Sequence, residues 1–347
     1  MFPREGGAVG SNREAPRTVA EASEAELVEL LHAVLPVHAS AGVVLGIGDD
    51  AAVLSPSAVR TVATVDAAVE GEDFLSVWPS GYATTGWDVG FKSCAQNLSD
   101  VNAMGAEATS ALLVLALPAA TPVDWVRGYA EGFAAAAQRL GAARLRVVGG
   151  DLSGTRTLTV SVSMSGELPG PALLRSGASA GESLIVVGET LGRADVALGL
   201  LASRRPADRV EAWDQRARAV SRALFEPLPP LSAGPALAAI AGAAMDISDG
   251  LVRDGARLAR ASGVGLELDP VALQAELATL EGWAGRHASR GLEHVLYGGE
   301  DHLLLATLPE GTPLPTGARS IGRVVEGAGV SLAGEHLDER RGFDHFA

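Results

Sequence analysis

The chain has 347 residues, of which 47% are hydrophobic and 20% charged, and its formal net charge is −15 at pH 7. This composition predicts a globular protein with ample material for a buried core, divided into two domains. The acidic balance argues against nucleic acid as a partner, because phosphate backbones are bound by clusters of Lys and Arg.

Single residues exclude further classes of protein. Cys94 is the only cysteine, which excludes an intramolecular disulfide framework and a cysteine-rich zinc site. Lys92 is the only lysine, and it follows Phe91, so a Walker A loop is excluded. The longest apolar run, 110–120, is shorter than the ~20 residues that cross a bilayer, and no signal-peptide region precedes it. We therefore expect a cytoplasmic protein without a membrane partner, in which divalent metal mediates any phosphate binding.

The first half of the chain predicts a tail followed by helices and strands. Residues 1–22 show no hydrophobic period and predict a flexible tail. A helix follows, with Ser23 and Glu26 as a capping-box pair. The long helix predicted at 84–104 has an apolar seam that includes Phe91 and Leu98, and Asn97 and Asp100 lie away from this seam. Further strands are predicted at 61–66, 110–117, 145–151 and 157–166, and a second helix at 121–141.

A new series of predicted strands and helices begins after Pro169 and Pro171, and we therefore place a domain boundary near residue 168. The second half predicts strands at 182–188, 243–248, 302–308 and 319–325 and helices at 193–203 and 249–263, with a polar, proline-rich stretch at 203–235. Helices interleaved with strands that keep one polar face favour mixed α+β sheets over a doubly wound parallel sheet.

Acidic residues recur at the ends of the predicted elements. The stretch GIGDDA, 46–51, matches a dinucleotide-binding turn, but no helix follows it, so we reject that interpretation. Taken alone, each of these acidic residues is also typical of a solvated turn, and Asp249 is typical of a helix N-cap. Several carboxylates that converge would repel one another without metal, and Mg²⁺ favours a few carboxylates together with phosphate oxygens. The recurrence therefore suggests a nucleoside triphosphate bound through metal. A metal-dependent phosphohydrolase lacks its expected motifs, whereas a noncatalytic nucleotide-binding protein stays open.

The ordered motifs resemble those of the bacterial thiamine-monophosphate kinases, in the superfamily that includes aminoimidazole ribonucleotide synthetase. The motifs are GIGDDAAVL, TVDAAVEGEDF, KSCAQNLSDVNAMGA, VVGGD, LLRSGASAGE, AMDISDGL, YGGED and GFDHF. The resemblance implies a two-domain fold, with an N-terminal domain at 23–168 that carries a mixed sheet and forms a homodimer. A larger C-terminal α/β domain at 169–347 is implied to close over the site.

The resemblance also implies an activity and its residues. The activity is transfer of the γ-phosphoryl group of ATP to thiamine monophosphate, giving thiamine diphosphate, with several Mg²⁺ ions as cofactors. No catalytic residue is implied beyond those that position metal and phosphate. The implied metal ligands are Asp50, Thr64, Val65 through its backbone, Asp66, Asp100, Asp151, Asp246 and Asp249. Gly150, Asp151, Arg175 and Ser248 would contact ATP, and Asp73, Glu300 and Phe343 would lie at the substrate.

Three departures from the family pattern fall near the expected phosphates. Asp73 stands where the family has a histidine, GGDLSGT lacks the family's arginine, and His302 and Leu303 follow GGED. Two alternatives therefore accompany the kinase hypothesis. One is a diverged relative that phosphorylates another small phosphate or carboxylate, and the other is a catalytically weakened nucleotide-binding protein.

Overall fold

The computed structural model describes residues 17–22, 24–35, 43–45, 53–54 and 60–343. These residues form a four-stranded sheet, a seven-stranded sheet and a two-stranded ribbon, with helices around them. The strands are β1 Val43–Leu45, β2 Val53–Leu54, β3 Arg60–Val69, β4 Glu107–Leu117, β5 Arg146–Gly154, β6 Thr159–Leu168, β7 Ser183–Val187, β8 Ala244–Ile247, β9 Gly265–Leu268, β10 Leu303–Leu308, β11 Ala318–Val325, β12 Gly329–Leu332 and β13 Glu335–His336. The helices are α1 Glu24–Val34, α2 Gly86–Ala103, α3 Val123–Arg139, α4 Arg193–Leu201, α5 Gln215–Arg222, α6 Ala233–Leu237, α7 Leu251–Ser262, α8 Pro270–Ala284 and α9 Leu292–Tyr297.

The four-stranded sheet is mixed and has two unlike faces. Its order is β3-β6-β4-β5, with antiparallel β3/β6 and β6/β4 pairs and a parallel β4/β5 pair. Alternation along β6 buries Val160, Val162 and Met164 on the inner face, against α2. The outer face carries exposed apolar side chains, among them Val65 and Leu112. One side of this sheet therefore builds the core, and the other lies open in the protomer.

Helix α2 lies at the centre of the fold, because it contacts both large sheets. It packs on β3 and β6 of the four-stranded sheet and on β8 and β10 of the seven-stranded sheet. Fifteen of its 18 residues are buried. Thr85 caps the helix and pairs with Asp88 in a capping box, which fixes where the helix begins. The long helix predicted at 84–104 is thus confirmed, and Asn97, away from the apolar seam, is nevertheless fully buried.

The backbones of α2 and α3 approach closely through glycines. A Cβ atom added at Gly86 or Gly90 of α2 would overlap carbonyl oxygens of α3, and one added at Gly132 of α3 would overlap Trp87. Only glycine permits such contact between two helices without displacing one of them. The glycine spacing therefore fixes how deeply α2 sits between α3 and the sheet.

The seven-stranded sheet has the order β13-β12-β9-β11-β7-β10-β8 and is antiparallel except for the β12/β9 pair. Strands β7 and β10 are fully buried apart from Ser183, consistent with positions inside the sheet. Two sheets with flanking helices confirm the predicted α+β, two-domain architecture. The exact division at residue 168 stays a prediction, although the chain passes from the first sheet to the second just after that point.

Some predictions were incomplete. The polar, proline-rich stretch 203–235, for which no helix was predicted, contains α5 and the start of α6, and α8 and α9 were not predicted at all. Of the predicted tail, residues 17–22 join the start of α3, where the Val19 amide donates to the Thr121 carbonyl at 2.6 Å. The remainder of the tail and the capping residue Ser23 lie outside the described residues. Over the described ranges, no helix combines the length and apolarity that a membrane span needs.

We predict that Gly90→Ala lowers the free energy of unfolding by about 2–3 kcal/mol, because the new methyl group forces α2 away from Tyr129. Gly199→Ala is the matched control, since it lies in helix α4 with open space around it. That substitution should raise stability by about 0.5–1 kcal/mol. Urea unfolding of both variants measures the difference, and equal stability of the two would contradict the close helix contact.

Candidate active site

Three of the predicted metal ligands come together where the two sheets meet. Asp66 lies on the inner face of β3, Asp100 is in the last turn of α2, and Asp246 is in β8. Asp246 is buried, and the other two are half-buried. The Thr64 hydroxyl donates to Asp100 Oδ2 at 2.6 Å, so the carboxyl group of the helix is tied to the neighbouring strand.

The clustering changes the acidity of these groups. Burial raises the pKa of the Asp100 carboxyl to about 7, and the charges of Asp246 and Asp66 add to this effect. Burial also raises the pKa of Asp66, where His302 opposes the shift and Asp246 reinforces it. The raised pKa values mean that the surrounding side chains do not fully neutralise the negative charge of these carboxylates.

The donor set fits a hard, hydrated cation. Within the described residues, no three carboxylate, imidazole or thiol groups already converge as a formed metal site. Mg²⁺, however, keeps several waters and takes only one or two carboxylates together with phosphate oxygens. Oxygen ligands spaced around one partly buried, electronegative region therefore suit Mg²⁺ that is shared with a polyphosphate.

His302 joins this carboxylate cluster to a second group of charged side chains. Its Nδ1 lies 3.4 Å from Asp246 Oδ2, and its Nε2 lies 3.3 Å from Glu300 Oε2. Burial alone would lower the pKa of His302, but the hydrogen bonds to the two carboxylates outweigh it and raise the pKa to about 10. The imidazole is therefore cationic at neutral pH and bridges two anions.

Lys92 is the other cation at Glu300. Its Nζ lies 3.1 Å from Glu300 Oε2, and the lysine side chain is only 8% exposed. Burial would raise the pKa of Glu300, but Lys92 and His302 together lower it to about 2. Glu300 is thus held ionised between two cations, as a fixed acceptor of hydrogen bonds.

The loop that carries Glu300 and His302 has an unusual backbone. Both residues have positive φ angles, 69° and 54°, which are uncommon for residues other than glycine. The Glu300 amide donates to the Ser248 carbonyl at 2.7 Å, and the His302 amide donates to the Ile247 carbonyl at 2.9 Å. These hydrogen bonds hold the loop against the end of β8, so the conformation is fixed by its neighbours.

Ser248 and Asp249 lie in a tight loop between β8 and α7. Their amides both donate to Asp254 Oδ2, at 2.9 and 2.8 Å. Arg257 pairs with Asp249 and with Asp254. Burial raises the pKa of Asp254 to about 6, although the backbone donor of Asp249 opposes the shift.

A cavity of about 500 Å³ opens beside Glu300. The three residues predicted for the substrate, Asp73, Glu300 and Phe343, all line it. Asp73 is held by the Val69 amide at 2.8 Å, and Phe343 is 47% exposed. The lining also includes Lys92, Trp78, Tyr297 and Arg341, and the Arg341 guanidinium lies 4.2 Å from the centre of the Tyr297 ring. The cavity therefore offers aromatic faces, carboxylates and cations to one ligand.

Other predicted residues do not join the cluster in the protomer. Gly150 and Asp151 are exposed on β5, which β6 and β4 separate from β3, so they lie about 14 Å from Asp66 by strand spacing. Arg175 is exposed between β6 and β7. The Val65 side chain points to the outer face. Asp50 lies outside the described residues.

Reasoning from sequence assigned no role to several residues that shape the site, namely Lys92, Ser99, Asp254 and Arg257. The Ser99 hydroxyl donates to Asp246 Oδ2 at 3.3 Å. Lys92 could have been found, because it lies eight residues before Asp100 on one predicted helix and so shares its face. Asp254 and Arg257 carried no such signal, since charged residues in a helix are typical of a solvated surface.

The chain matches the family model "AIR synthase related protein, N-terminal domain" over residues 48–168. It is 40% identical over 309 residues to the thiamine-monophosphate kinase of Mycobacterium tuberculosis, covering 88% of this chain and 87% of that one. A crystal structure of thiamine monophosphate kinase from Aquifex aeolicus has 31% identity and a TM-score of 0.69, covering 82% of this chain and 91% of its own. Another similar structure, AaThiL complexed with AMPPCP and TMP, has 32% identity and a TM-score of 0.70, covering 84% and 89%.

We predict that Asp100→Asn stabilises the metal-free protein at pH 8 by about 1–3 kcal/mol. Because the folded protein raises the pKa of Asp100 from 3.8 to about 7, ionisation costs stability as pH rises through that interval. The gain should therefore be full above pH 7 and vanish near pH 4. Urea unfolding after chelator treatment measures it.

The control for this prediction is Glu310→Gln, at an exposed position in the turn after β10. It should leave stability within about 0.5 kcal/mol of the unsubstituted protein at both pH values. A gain from Asp100→Asn that does not change with pH would contradict the argument from ionisation.

Proposed function

The chain belongs to the thiamine-monophosphate kinase family, and on that premise we propose that it transfers the γ-phosphoryl group of ATP to thiamine monophosphate. In this reaction an oxygen of the acceptor phosphate forms a bond to the γ-phosphorus. The bond from that phosphorus to the β,γ-bridging oxygen breaks, and its electron pair leaves with ADP. The product is thiamine diphosphate.

The observation that carries this proposal is the His302 bridge between Asp246 and Glu300. It connects the carboxylate cluster, suited to a metal-bound triphosphate, with the cavity suited to an organic acceptor. An acceptor phosphate is already ionised, so no strong base is needed to remove a proton. The residues at this junction therefore act by positioning and by neutralising charge, and the lack of a reactive Cys is no obstacle.

We assign Mg²⁺ to the carboxylates Asp50, Asp66, Asp100, Asp151, Asp246 and Asp249, with the Thr64 hydroxyl beside them. Mg²⁺ would supply neutralisation of the charge on the phosphates. The Val65 carbonyl is a further ligand in this proposal. Serine hydroxyls of β6 donate to the carbonyls of Thr64 and Asp66, so the carbonyl between them points to the open edge of β3.

For the nucleotide, we propose contacts from Gly150, Asp151, Arg175 and Ser248. The relative that holds AMPPCP, an ATP analogue, and TMP supports a shared nucleotide and acceptor site. The acceptor part of the proposal is Asp73, Glu300 and Phe343. The ionised Glu300 can accept hydrogen bonds from the aminopyrimidine, and the exposed Phe343 ring offers a face to a cationic heterocycle.

We propose that the protein is a homodimer through the outer face of the four-stranded sheet. That face carries Val65, Leu112 and Val114, which are 64%, 45% and 38% exposed. A second copy would cover these apolar side chains. Asp151 lies opposite Val114 in the β4/β5 register and therefore on the same face. Asp151 lies far from Asp66 of its own chain, so its place on this face supports a contribution of Asp151 to the active site of the second copy.

Incubation of the purified protein with ATP and thiamine monophosphate tests the activity. We expect thiamine diphosphate to form with Mg²⁺ and to be absent when a chelator removes the metal. No product, with nucleotide binding retained, would overturn thiamine monophosphate as acceptor and favour another small phosphate or carboxylate.

We predict that Asp246→Asn lowers turnover by at least about a hundredfold while the protein stays folded, because a metal ligand is lost at little steric cost. Glu211→Gln, at a 71% exposed position that does not line the cavity, is the control and should keep full activity. Circular dichroism checks the fold of both variants. Unchanged turnover of Asp246→Asn would contradict its assignment as a ligand.

We predict that Leu112→Asp dissociates the homodimer, because it places a carboxylate in the covered face. Val271→Asp is the control, since Val271 is 77% exposed at the start of α8, in the other half of the chain. Light scattering after size exclusion gives the molar mass. A dimer that survives Leu112→Asp would exclude this face as the contact.

A further inference from the structure

Asp249, one of the proposed metal ligands, already faces two arginine side chains of α7. Arg257 Nη1 lies 2.6 Å from Asp249 Oδ2, and Arg253 Nε lies 4.0 Å from the same oxygen. The Asp249 side chain is only 21% exposed, so water screens these charges incompletely. A guanidinium stays charged at any pH at which the protein is folded. The carboxylate therefore has a permanent positive neighbour.

Arg257 is held in place independently of Asp249. The same Nη1 atom lies 2.7 Å from Asp254 Oδ1, one turn earlier on α7, and the Asp254 side chain is fully buried. The other oxygen of Asp254 accepts the two amides of the Ser248–Asp249 loop. If Asp249 turned towards another cation, Arg257 would keep its contact with Asp254. The arginine is thus part of the loop's anchor and remains beside Asp249.

We propose that Arg257 is a resident counter-cation of Asp249 that competes with divalent metal for this carboxylate. The inference rests on the proposed function, which assigns Asp249 as a metal ligand. A fixed positive charge about 6 Å away repels a divalent ion and weakens its binding at least about tenfold, even at the dielectric constant of water. Divalent metal then occupies Asp249 well only when polyphosphate adds negative charge. The arginine delays metal binding at this carboxylate until nucleotide is present.

Titration of the nucleotide-free, full-length protein with Mn²⁺ tests this inference, with free Mn²⁺ measured by electron paramagnetic resonance. We expect Arg257→Gln to bind one Mn²⁺ at least about tenfold more tightly than the unsubstituted protein. Arg260→Gln is the matched control, because it removes the same charge from the same helix at an exposed pair with Glu339. Its Mn²⁺ affinity should stay within about twofold of the unsubstituted value.

Further variants separate the charge effect from loop damage. Arg257→Lys keeps the charge and should keep the unsubstituted affinity, whereas Arg257→Met is a second neutral variant and should match Arg257→Gln. Adding Asp249→Asn to Arg257→Gln should abolish the gain, which assigns the tighter ion to Asp249. Thermal unfolding checks that each variant is folded.

An equal or weaker Mn²⁺ affinity in both neutral variants would overturn the proposal and make Arg257 only a support of the loop. Mn²⁺ that binds tightly in the unsubstituted protein and is lost with Asp249→Asn would overturn it as well. The titration uses neither thiamine monophosphate nor turnover. A failed kinase assay therefore overturns the proposed acceptor without deciding the role of Arg257.

Discussion

The burial of α2 between the two sheets is the constraint on which the site depends. A helix covered on nearly all sides cannot rotate or slide, and the glycine contacts with α3 fix its depth as well. Lys92 and Asp100 are therefore presented from one rigid support, two turns apart. Thr64, which contacts Asp100, lies in the four-stranded sheet, whereas Glu300, which contacts Lys92, lies in the loop that leads into β10 of the seven-stranded sheet. The relative positions of these site residues from the two halves of the molecule therefore depend on α2.

Charge in the site is compensated unevenly. Glu300 lies between two cations, and Asp249 faces an arginine. The Asp100 carboxylate, in contrast, accepts a hydrogen bond from the uncharged Thr64 hydroxyl, and the cation that lowers the pKa of Asp66 is the more distant His302 imidazole. The uncompensated part lies at the opening between the sheets. This division explains how an acidic protein folds without its ligands while keeping a region of unbalanced negative charge for metal and phosphate.

The sequence predicted the architecture and family, and it placed Asp100 and Asp246 near the ends of the correct elements. The prediction was wrong for Asp66 and Asp151, which lie inside β3 and β5 because both strands continue beyond the predicted ends. The hydrophobic period sufficed to predict α2, because its apolar seam is a local feature of the sequence. Local signals did not reveal α8, whose apolar residues show little periodicity, or the anchor role of Asp254, which depends on a loop folding back on α7. Ion pairs between distant segments, such as Lys92 with Glu300, need the assembled fold. The separation of Asp151 from Asp66 likewise follows from strand order, which sequence pattern does not encode.

The single lysine gives this protein a built-in chemical reporter. Lys92 is buried in an ion pair on the wall of the acceptor cavity, and no other lysine side chain exists to compete for an amine-directed reagent. An amine is acylated only where the reagent can reach it, and Lys92 is only 8% exposed in its ion pair with Glu300. The rate of acylation of Lys92, followed by mass spectrometry, therefore measures how readily the cavity opens to the reagent. No label needs to be engineered into the chain.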